Sequence, residues 1–188
     1  MKLQNKQKRV FRKTSRIFAA VIIFITVSGI TGEYNRAWSK PKWRYIVVHH
    51  SGTKIGNAKR FDIYHRKVRH MKNGIGYHFV IDDGSCGTED GQIEITRRWE
   101  KQLPGGHCRQ QVNNNQGIGI CLVGNFQKTR PTKQQFWALV WLVRKLMREN
   151  NIPLKNVKGH GEMHGENTVC PGRYFSMKRL KAEIPKKK

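Results

Sequence analysis

The segment GHGEMHGENTVCPG, residues 159–172, holds three side chains that could bind a metal ion, His160, His164 and Cys170. Imidazole and thiolate are ligands that suit Zn²⁺, and three protein ligands with one open position form a catalytic zinc site. A histidine and a cysteine in one glycine-rich loop are common, so this spacing alone is a weak signal. A rigid catalytic site also needs a ligand from a distant element of the fold.

A candidate for that distant ligand lies in RYIVVHHSGTK, residues 44–54, where an apolar run ends in two adjacent histidines. We predict a buried strand over residues 45–48. Successive side chains of a strand point to opposite faces, so His49 and His50 cannot both face one site while the strand continues. Alternation leaves open which of the two is the ligand.

The elements that must position these residues alternate between strands and helices. We predict strands over residues 45–48, 75–81, 92–99, 117–126 and 156–158, helices over residues 58–71 and 176–183, and an irregular segment over residues 103–117. A further helix starts at Pro131 and Thr132, because Thr132 and Gln135 have capping-box spacing and an apolar stripe of period 3.6 follows. This order predicts an α/β fold, a single domain with a mixed central β-sheet flanked by helices on both faces.

The composition is that of a globular protein with a strong positive charge. The chain has 188 residues, 37% of them hydrophobic, and a formal net charge of +25. The first 31 residues hold seven basic residues and no acid, so the remainder is strongly basic as well. This balance predicts an anionic partner, which could be nucleic acid, anionic lipid or an acidic wall polymer.

The N-terminus has the pattern of a targeting segment, in which a basic region precedes fourteen residues without a charge, 17–30. That stretch is shorter than the roughly 20 residues of a spanning helix and fits a signal peptide. Val27 and Gly29 form a poor cleavage site, which leaves an uncleaved signal anchor open. We expect a signal peptide or anchor over residues 1–31, a linker over 32–43, the domain over 44–184 and a basic tail over 185–188. Export to the cell envelope, periplasm or cell surface, follows from this division.

The chain has four cysteines and no CxxC pair, which argues against a zinc ribbon or a thioredoxin-like redox site. Exported proteins can form disulfides, and Cys86 with Cys108 is the first pair to consider. Cys121, inside an apolar run, is expected to be a small buried hydrophobe.

Four segments in the order IVVHHSGT, GIGYHFVI, GGHC…NNNQGIGICLVGNF and GHGEMHGENTVCPG resemble the zinc-dependent N-acetylmuramoyl-L-alanine amidases. The resemblance covers about residues 44–176 and is to the branch of phage T7 lysozyme and the peptidoglycan recognition proteins. It implies hydrolysis of the amide between N-acetylmuramic acid and L-alanine in peptidoglycan, with one Zn²⁺ ion. The alternative is a non-catalytic module that binds peptidoglycan or muropeptides. We expect a monomer and no specific nucleic-acid partner.

The resemblance also assigns roles by position. It implies that the zinc ligands are His49, His160 and Cys170. His50 then lies on the opposite strand face, and His164 lies in an extra loop. Some relatives have serine at the Cys170 position and bind peptidoglycan without cleaving it, so this cysteine favours an enzyme.

The resemblance further implies that Tyr77 and Thr168 stabilise the oxyanion of the reaction. His107 and Asn125 match positions at the substrate cleft. His78, on the other side of the chain from Tyr77, is expected to be structural. Cytoplasmic wall-recycling amidases have an acidic residue where this chain has Cys121, so a carboxylate base is not expected there.

Overall fold

The structure of the chain, a computed structural model, describes residues 43–185, so the expected targeting segment lies outside the described residues. The strands are β1 (Tyr45–His50), β2 (Phe79–Asp83), β3 (Asp90–Ile95), β4 (Gly117–Leu122) and β5 (Val157–Gly159). The α-helices are α1 (Ala58–Lys67), α2 (Arg97–Glu100), α3 (Gln111–Gln116), α4 (Lys133–Asn150) and α5 (Met177–Glu183). Short 3₁₀ turns cover Leu154–Asn156 and His160–Glu162. Within this part of the chain no helix is long and apolar enough to cross a bilayer.

The five strands form one mixed sheet in the order β3-β2-β4-β1-β5. Strand β1 runs parallel to β4 and β5, β2 runs parallel to β4, and β3 is antiparallel to β2. In this register His49 lies beside Cys121 and His50 beside Leu122. The mixed sheet predicted from the sequence is therefore confirmed.

Helices cover both faces of the sheet, as predicted. On one face, apolar residues of β1, β2 and β4 pack against α4 and α5 in the larger core, which includes Ile46, Ile120 and Leu139. On the other face, Phe61 of α1 packs in a smaller cluster with Val80, Cys121 and Val123. The smaller cluster is on the His49 side, so α1 covers the face on which the candidate site lies.

The capping box predicted for α4 is present. Thr132 Oγ1 accepts a hydrogen bond from the Gln135 N–H at 3.0 Å, and Gln135 Oε1 accepts one from the Thr132 N–H at 3.1 Å. The Gln135 side chain is buried, and its Nε2 donates to the carbonyls of Val123 at 2.8 Å and Ile81 at 3.2 Å. One side chain thus joins the start of the longest helix to the ends of two strands.

Three strands, β2, β3 and β4, are shorter than the sequence pattern predicts, and β4 ends at Leu122 instead of residue 126. Residues 75–78 lie outside β2. The Gly76 carbonyl oxygen instead accepts a hydrogen bond from the Gly106 N–H at 2.9 Å, so this segment pairs with the loop that contains Gly106. Residues 97–100 turn into α2, because Thr96 Oγ1 caps the Arg98 N–H at 3.2 Å. The buried Arg98 guanidinium then donates to the carbonyls of Ile75 and Pro104. The segment predicted to be irregular, 103–117, contains α3.

Two further expectations need correction. Trp43 was expected to end the linker, but it is 6% exposed, belongs to the larger core and donates from Nε1 to Gln102 Oε1 at 3.0 Å. Cys86 and Cys108 are free thiols, so the disulfide considered for them is not formed. Cys86 is exposed after β2, whereas Cys108 Sγ lies 3.2 Å from His107 Nδ1. Cys121 is 0% exposed, as expected.

Strand β2 buries a carboxyl group. Asp82 is 0% exposed, and neither of its side-chain oxygens has a hydrogen-bond partner within residues 43–185. Burial, and then the neighbouring Glu94 carboxylate, raise the pKa of Asp82 to about 8. The folded protein therefore keeps this proton at neutral pH, whereas an unfolded aspartate releases it near pH ~4.

We predict that the Asp82 contribution to the free energy of unfolding is fully present below about pH 4 and is lost as the pH rises through about 8. The substitution Asp82→Asn, which keeps the shape without the charge, should raise the urea midpoint at pH 8 relative to wild type. It should have much less effect at about pH 4. Glu89→Gln, at an exposed position before β3, is the matched control. Parallel pH profiles for wild type and Asp82→Asn would contradict this account.

Candidate metal centre and substrate cleft

The end of β1 and the segment after β5 bring three candidate metal ligands together. One donor atom from each of His49, His160 and Cys170 lies within 4.8 Å of the other two. His49 Nδ1 lies 3.8 Å from Cys170 Sγ, and the rings of His49 and His160 are 4.5 Å apart between centroids. Two imidazoles and one cysteine sulfur at this spacing fit the donor set of a Zn²⁺ site.

Strand alternation places His50 away from that cluster. Its Nδ1 accepts a hydrogen bond from the Phe126 N–H at 2.9 Å, so the ring is held on the face of the larger core. Only the main chain of His50 reaches the cluster, where its N–H donates to Cys170 Sγ at 3.4 Å. His164 is exposed and belongs to no group of candidate donors among the described residues. The geometry therefore assembles His49, His160 and Cys170, the set that the resemblance implies.

The protonation states suit metal binding. Burial, followed by the neighbouring His107 and His160, lowers the pKa of His49 well below its usual value, so its ring is neutral and able to donate a lone pair. Burial raises the pKa of the Cys170 thiol to about 11, and the hydrogen bond from the His50 N–H opposes this effect. A cation at this position would favour the thiolate, which is the form that binds metals.

His107 lies directly against His49. Its Nε2 is 3.2 Å from the Gly117 carbonyl oxygen, and its Nδ1 is 3.0 Å from His49 Nε2. If His107 Nε2–H donates to that carbonyl, its Nδ1 accepts the Nε2–H of His49, and the lone pair of His49 remains on Nδ1, towards Cys170. Burial lowers the pKa of His107 to about 4, which keeps the ring neutral. His107 also lines the cleft described below, and its contact with substrate stays a prediction.

Glu166 joins the same site, although nothing in the sequence pattern distinguishes it from a solvated loop acid. One carboxylate oxygen accepts from the Arg109 N–H at 2.9 Å and lies 3.1 Å from His160 Nε2. The other accepts from the Gln110 N–H at 2.9 Å and the Asn113 amide at 3.0 Å. Burial alone would raise the pKa of Glu166, but these hydrogen bonds hold it at about 2. Glu166 is therefore ionised beside a candidate ligand.

Cys108 is a second residue that was not expected near the metal centre. Its sulfur lies within 4.8 Å of donor atoms of His49 and His107, and also of His160 and Glu166. Burial, followed by Glu166 and Cys170, raises the pKa of the Cys108 thiol to about 12. Cys108 is thus an uncharged thiol in this arrangement.

The two residues expected to stabilise an oxyanion lie beside these donors. The Tyr77 ring centroid is 5.3 Å from that of His49. Burial, and then Cys121 and Cys170, raise the pKa of Tyr77 well above its usual value, so the phenol keeps its proton. Thr168 is exposed, and its hydroxyl oxygen accepts a hydrogen bond from the Cys170 N–H at 3.2 Å, which leaves the hydroxyl hydrogen available to a substrate.

A cleft of about 590 Å³ opens beside Tyr77 and His107. Helix α1 contributes Arg60, Tyr64 and His65 to its lining, and Arg69 follows the helix. Among the residues that the structure describes, no acidic side chain lines this cleft, so it offers positive charge and aromatic surface to a ligand. Its position next to the candidate metal centre makes it the candidate substrate site.

Asn125 does not line that cleft. It lines a neighbouring cavity of about 440 Å³, which shares only Thr53 with the cleft in the described part of the chain. The Asn125 side-chain oxygen accepts a hydrogen bond from the Gln127 N–H at 3.1 Å. Its role in substrate binding stays a prediction, and it would apply to a ligand that extends past Thr53.

His78 is held inside the protein, as expected. It is 0% exposed, its Nδ1 accepts from the Gly119 N–H at 3.0 Å, and its Nε2 lies 3.0 Å from the Leu103 carbonyl oxygen. Burial lowers the pKa of His78 to about 3, so it remains neutral. It joins β4 to the loop that leads to His107.

Comparisons with known proteins agree with this fold. The chain is 29% identical over 134 residues to N-acetylmuramoyl-L-alanine amidase CwlH of Bacillus subtilis (strain 168), a match that covers 68% of this chain and 46% of the relative. The chain thus spans less than half the length of that amidase. It is 30% identical over 139 residues to a peptidoglycan-recognition protein of Drosophila simulans, with 70% of each chain covered.

A solved structure is similar as well. The N-acetylmuramoyl-L-alanine amidase LysC from Clostridium intestinale URNW is 32% identical, with a TM-score of 0.65 and coverage of 78% of this chain and 87% of that one. Residues 39–173 of the present chain match the profile of the Amidase_2 family, described as N-acetylmuramoyl-L-alanine amidase. That match includes all the candidate metal ligands and the tyrosine beside them. The chain therefore belongs to the N-acetylmuramoyl-L-alanine amidase family.

Proposed function

We propose that this protein is a zinc-dependent N-acetylmuramoyl-L-alanine amidase that hydrolyses the amide bond between N-acetylmuramic acid and L-alanine in peptidoglycan. The observation that carries the proposal is the convergence of His49, His160 and Cys170 within 4.8 Å, beside Tyr77 and next to an open cleft. Membership of the amidase family supplies the substrate class.

The two imidazoles and the thiolate would hold one Zn²⁺ ion, which supplies a Lewis acid for the scissile carbonyl and lowers the pKa of a water molecule. The residues of the chain have separate tasks in the reaction. Tyr77 donates a hydrogen bond to the carbonyl oxygen as negative charge develops on it, and its raised pKa keeps that proton in place. Thr168, whose hydroxyl oxygen accepts from the Cys170 N–H, is a second donor. Both donors are neutral, so this site has less positive charge than one with a lysine.

The cleft is suited to the peptide stem of the substrate. Peptide stems carry carboxylates, and Arg60 and Arg69 line a cleft to which the described residues contribute no acidic side chain. Tyr64 offers an aromatic face in the same wall. The overall charge of +25 favours approach to anionic wall material, an attraction that salt weakens.

The reaction would take place in the cell envelope. The basic and apolar pattern of residues 1–31 supports export, either with cleavage or with retention as an anchor. The domain then acts on peptidoglycan or muropeptides as a monomer.

A second candidate function is peptidoglycan recognition without cleavage. The similarity to the peptidoglycan-recognition protein of Drosophila simulans favours it, because the same cleft would serve for binding alone. Cys170 in the donor cluster and Tyr77 beside it favour the enzyme, since binding alone requires neither.

Digestion of purified sacculi decides between the two functions. We predict that the zinc-loaded protein releases peptide stems with a free L-alanine amine and leaves glycan strands with free lactyl carboxyl groups. The variant Cys170→Ser should still bind sacculi but release no stems. The products are measured by mass spectrometry and the binding by co-sedimentation. If wild type releases nothing and Cys170→Ser binds equally well, the chain is a recognition module.

Removal of the Tyr77 hydroxyl tests the oxyanion role. We predict that Tyr77→Phe lowers turnover by roughly 10²–10³, because one donor to the developing charge is lost. The zinc content, measured by elemental analysis, should not change. Tyr174→Phe, on an exposed tyrosine outside the cleft, is the matched control and should keep full turnover. Wild-type turnover for Tyr77→Phe would exclude this role.

Zinc content tests the choice between the two adjacent histidines. We predict that His49→Ala loses the metal, because it removes a buried donor next to Cys170 Sγ. His50→Ala and His164→Ala should retain it, as these rings lie outside the donor cluster. Zinc retained by His49→Ala and lost by His50→Ala would reverse the assignment.

A further inference from the structure

Glu166 occupies an unusual place between two loops. It lies in the segment that carries the candidate ligands His160 and Cys170, yet its side chain is only 2% exposed. Its carboxylate reaches across to Arg109, Gln110 and the Asn113 side chain, around the start of α3. The ligand loop is thus joined to a second segment of the chain through one acid.

Within residues 43–185, the four groups that contact the Glu166 carboxylate at hydrogen-bond distance can all act as donors. The oxygen Oε2 faces the Arg109 N–H and His160 Nε2, at 2.9 and 3.1 Å. The oxygen Oε1 faces the Gln110 N–H and the Asn113 side-chain amide, at 2.9 and 3.0 Å. Two of these four donors are main-chain N–H groups, whose direction the backbone fixes. A carboxylate satisfies all four donors, because both of its oxygens are acceptors.

The contact with His160 determines which ring nitrogen carries the proton. Because Glu166 is an acceptor, a neutral His160 must carry its hydrogen on Nε2 to donate across the 3.1 Å contact. Its lone pair then lies on Nδ1, the other ring nitrogen. A carboxylate that holds a ligating histidine in this way fixes both the tautomer and the orientation of the ring.

We propose that Glu166 is a positioning residue of the metal centre, which holds His160 with Nδ1 available to the metal and ties the ligand loop to residues 109–113. This inference rests on the proposed metal site but not on the reaction carried out there. His107 has the corresponding place against His49, where its Nδ1 is 3.0 Å from His49 Nε2. Each candidate histidine ligand therefore has a partner at Nε2.

Direct metal binding by Glu166 is the alternative reading of the same cluster, since donor atoms of Cys108, His160 and Glu166 lie within 4.8 Å of one another. The four hydrogen bonds argue against it. A metal on either oxygen would compete with a main-chain N–H that cannot turn elsewhere, and that N–H would be left without an acceptor. The geometry thus favours orientation of His160 over coordination by Glu166.

The substitution Glu166→Gln is a sharp test, because an amide cannot replace the carboxylate in either orientation. Its NH₂ group would face the Arg109 N–H and His160, or else the Gln110 N–H and the Asn113 amide. The matched control is Glu162→Gln in the same loop. The Glu162 carboxylate also accepts a main-chain N–H, from Gly159 at 2.9 Å, but it does not contact His160.

The first measurement is the zinc affinity of the full-length chain, determined by competition with a chromogenic chelator. We expect Glu166→Gln to bind Zn²⁺ about 10–100-fold more weakly than wild type, as for loss of other carboxylates that orient ligating histidines. Glu162→Gln should bind like wild type. An unchanged affinity in Glu166→Gln would overturn the proposal.

The second measurement is the tautomer of His160 in the metal-free protein, read from long-range ¹H–¹⁵N correlations of the ring. Wild type should show the Nε2–H form, and Glu166→Gln should show a mixture. Glu166→Ala, which introduces no opposing amide, should give the same mixture and serves if Glu166→Gln does not fold. Weaker zinc binding with the tautomer of wild type would indicate that Glu166 is a ligand and overturn the positioning role. Neither measurement uses peptidoglycan, so a failure of the proposed hydrolysis would leave this result intact.

Discussion

The alternation of side chains at the end of β1 is the constraint on which the candidate site depends. Parallel pairing with β4 and β5 fixes the register of this strand, and the larger core holds Ile46 and Val48 on one face. His49 must then point to the other face. His50 must point back to the core side, where its Nδ1 accepts a hydrogen bond from the Phe126 N–H. A shift of the strand by one residue would turn His49 to the core face and remove its ring from the site.

Around His49 the site is built from neutral groups, each held in one protonation state by burial or by a hydrogen bond. His49, His78 and His107 are all buried, and burial lowers the pKa of each below that of free histidine. Burial also keeps the proton on Tyr77, because it raises the pKa of the phenol. Glu166 is the exception, because four donors make its charge the stable form. The result is a set of lone pairs and donors with little freedom to reorganise, as a preorganised metal site requires.

Local patterns predicted the parts of this protein that local forces determine. The α4 capping box at Thr132 is encoded within four residues, and the mixed sheet follows from the order of apolar segments. Two of the strand ends that were overestimated, in β2 and β3, depend on distant contacts, since the Arg98 side chain donates to the carbonyls of Ile75 and Pro104. The roles of Glu166 and Cys108 could not be predicted, because they depend on segments that are distant in sequence. His160 is only six residues from Glu166, but the Arg109 N–H that helps to hold the carboxylate beside it is 57 residues away. The family resemblance was needed to choose His49 over His50. The register of β1 explains why the two side chains lie on opposite faces.

The central claim is metal-dependent cleavage of the amide bond. The most direct measurement uses a defined muropeptide, the metal-depleted protein, and zinc added back to one ion per chain, with products identified by mass spectrometry. We predict no cleavage after depletion, and recovery with Zn²⁺ that yields free N-acetylmuramic acid and a peptide beginning with L-alanine. Cleavage at the same rate by the depleted protein, or cleavage at a different bond, would contradict the proposed function.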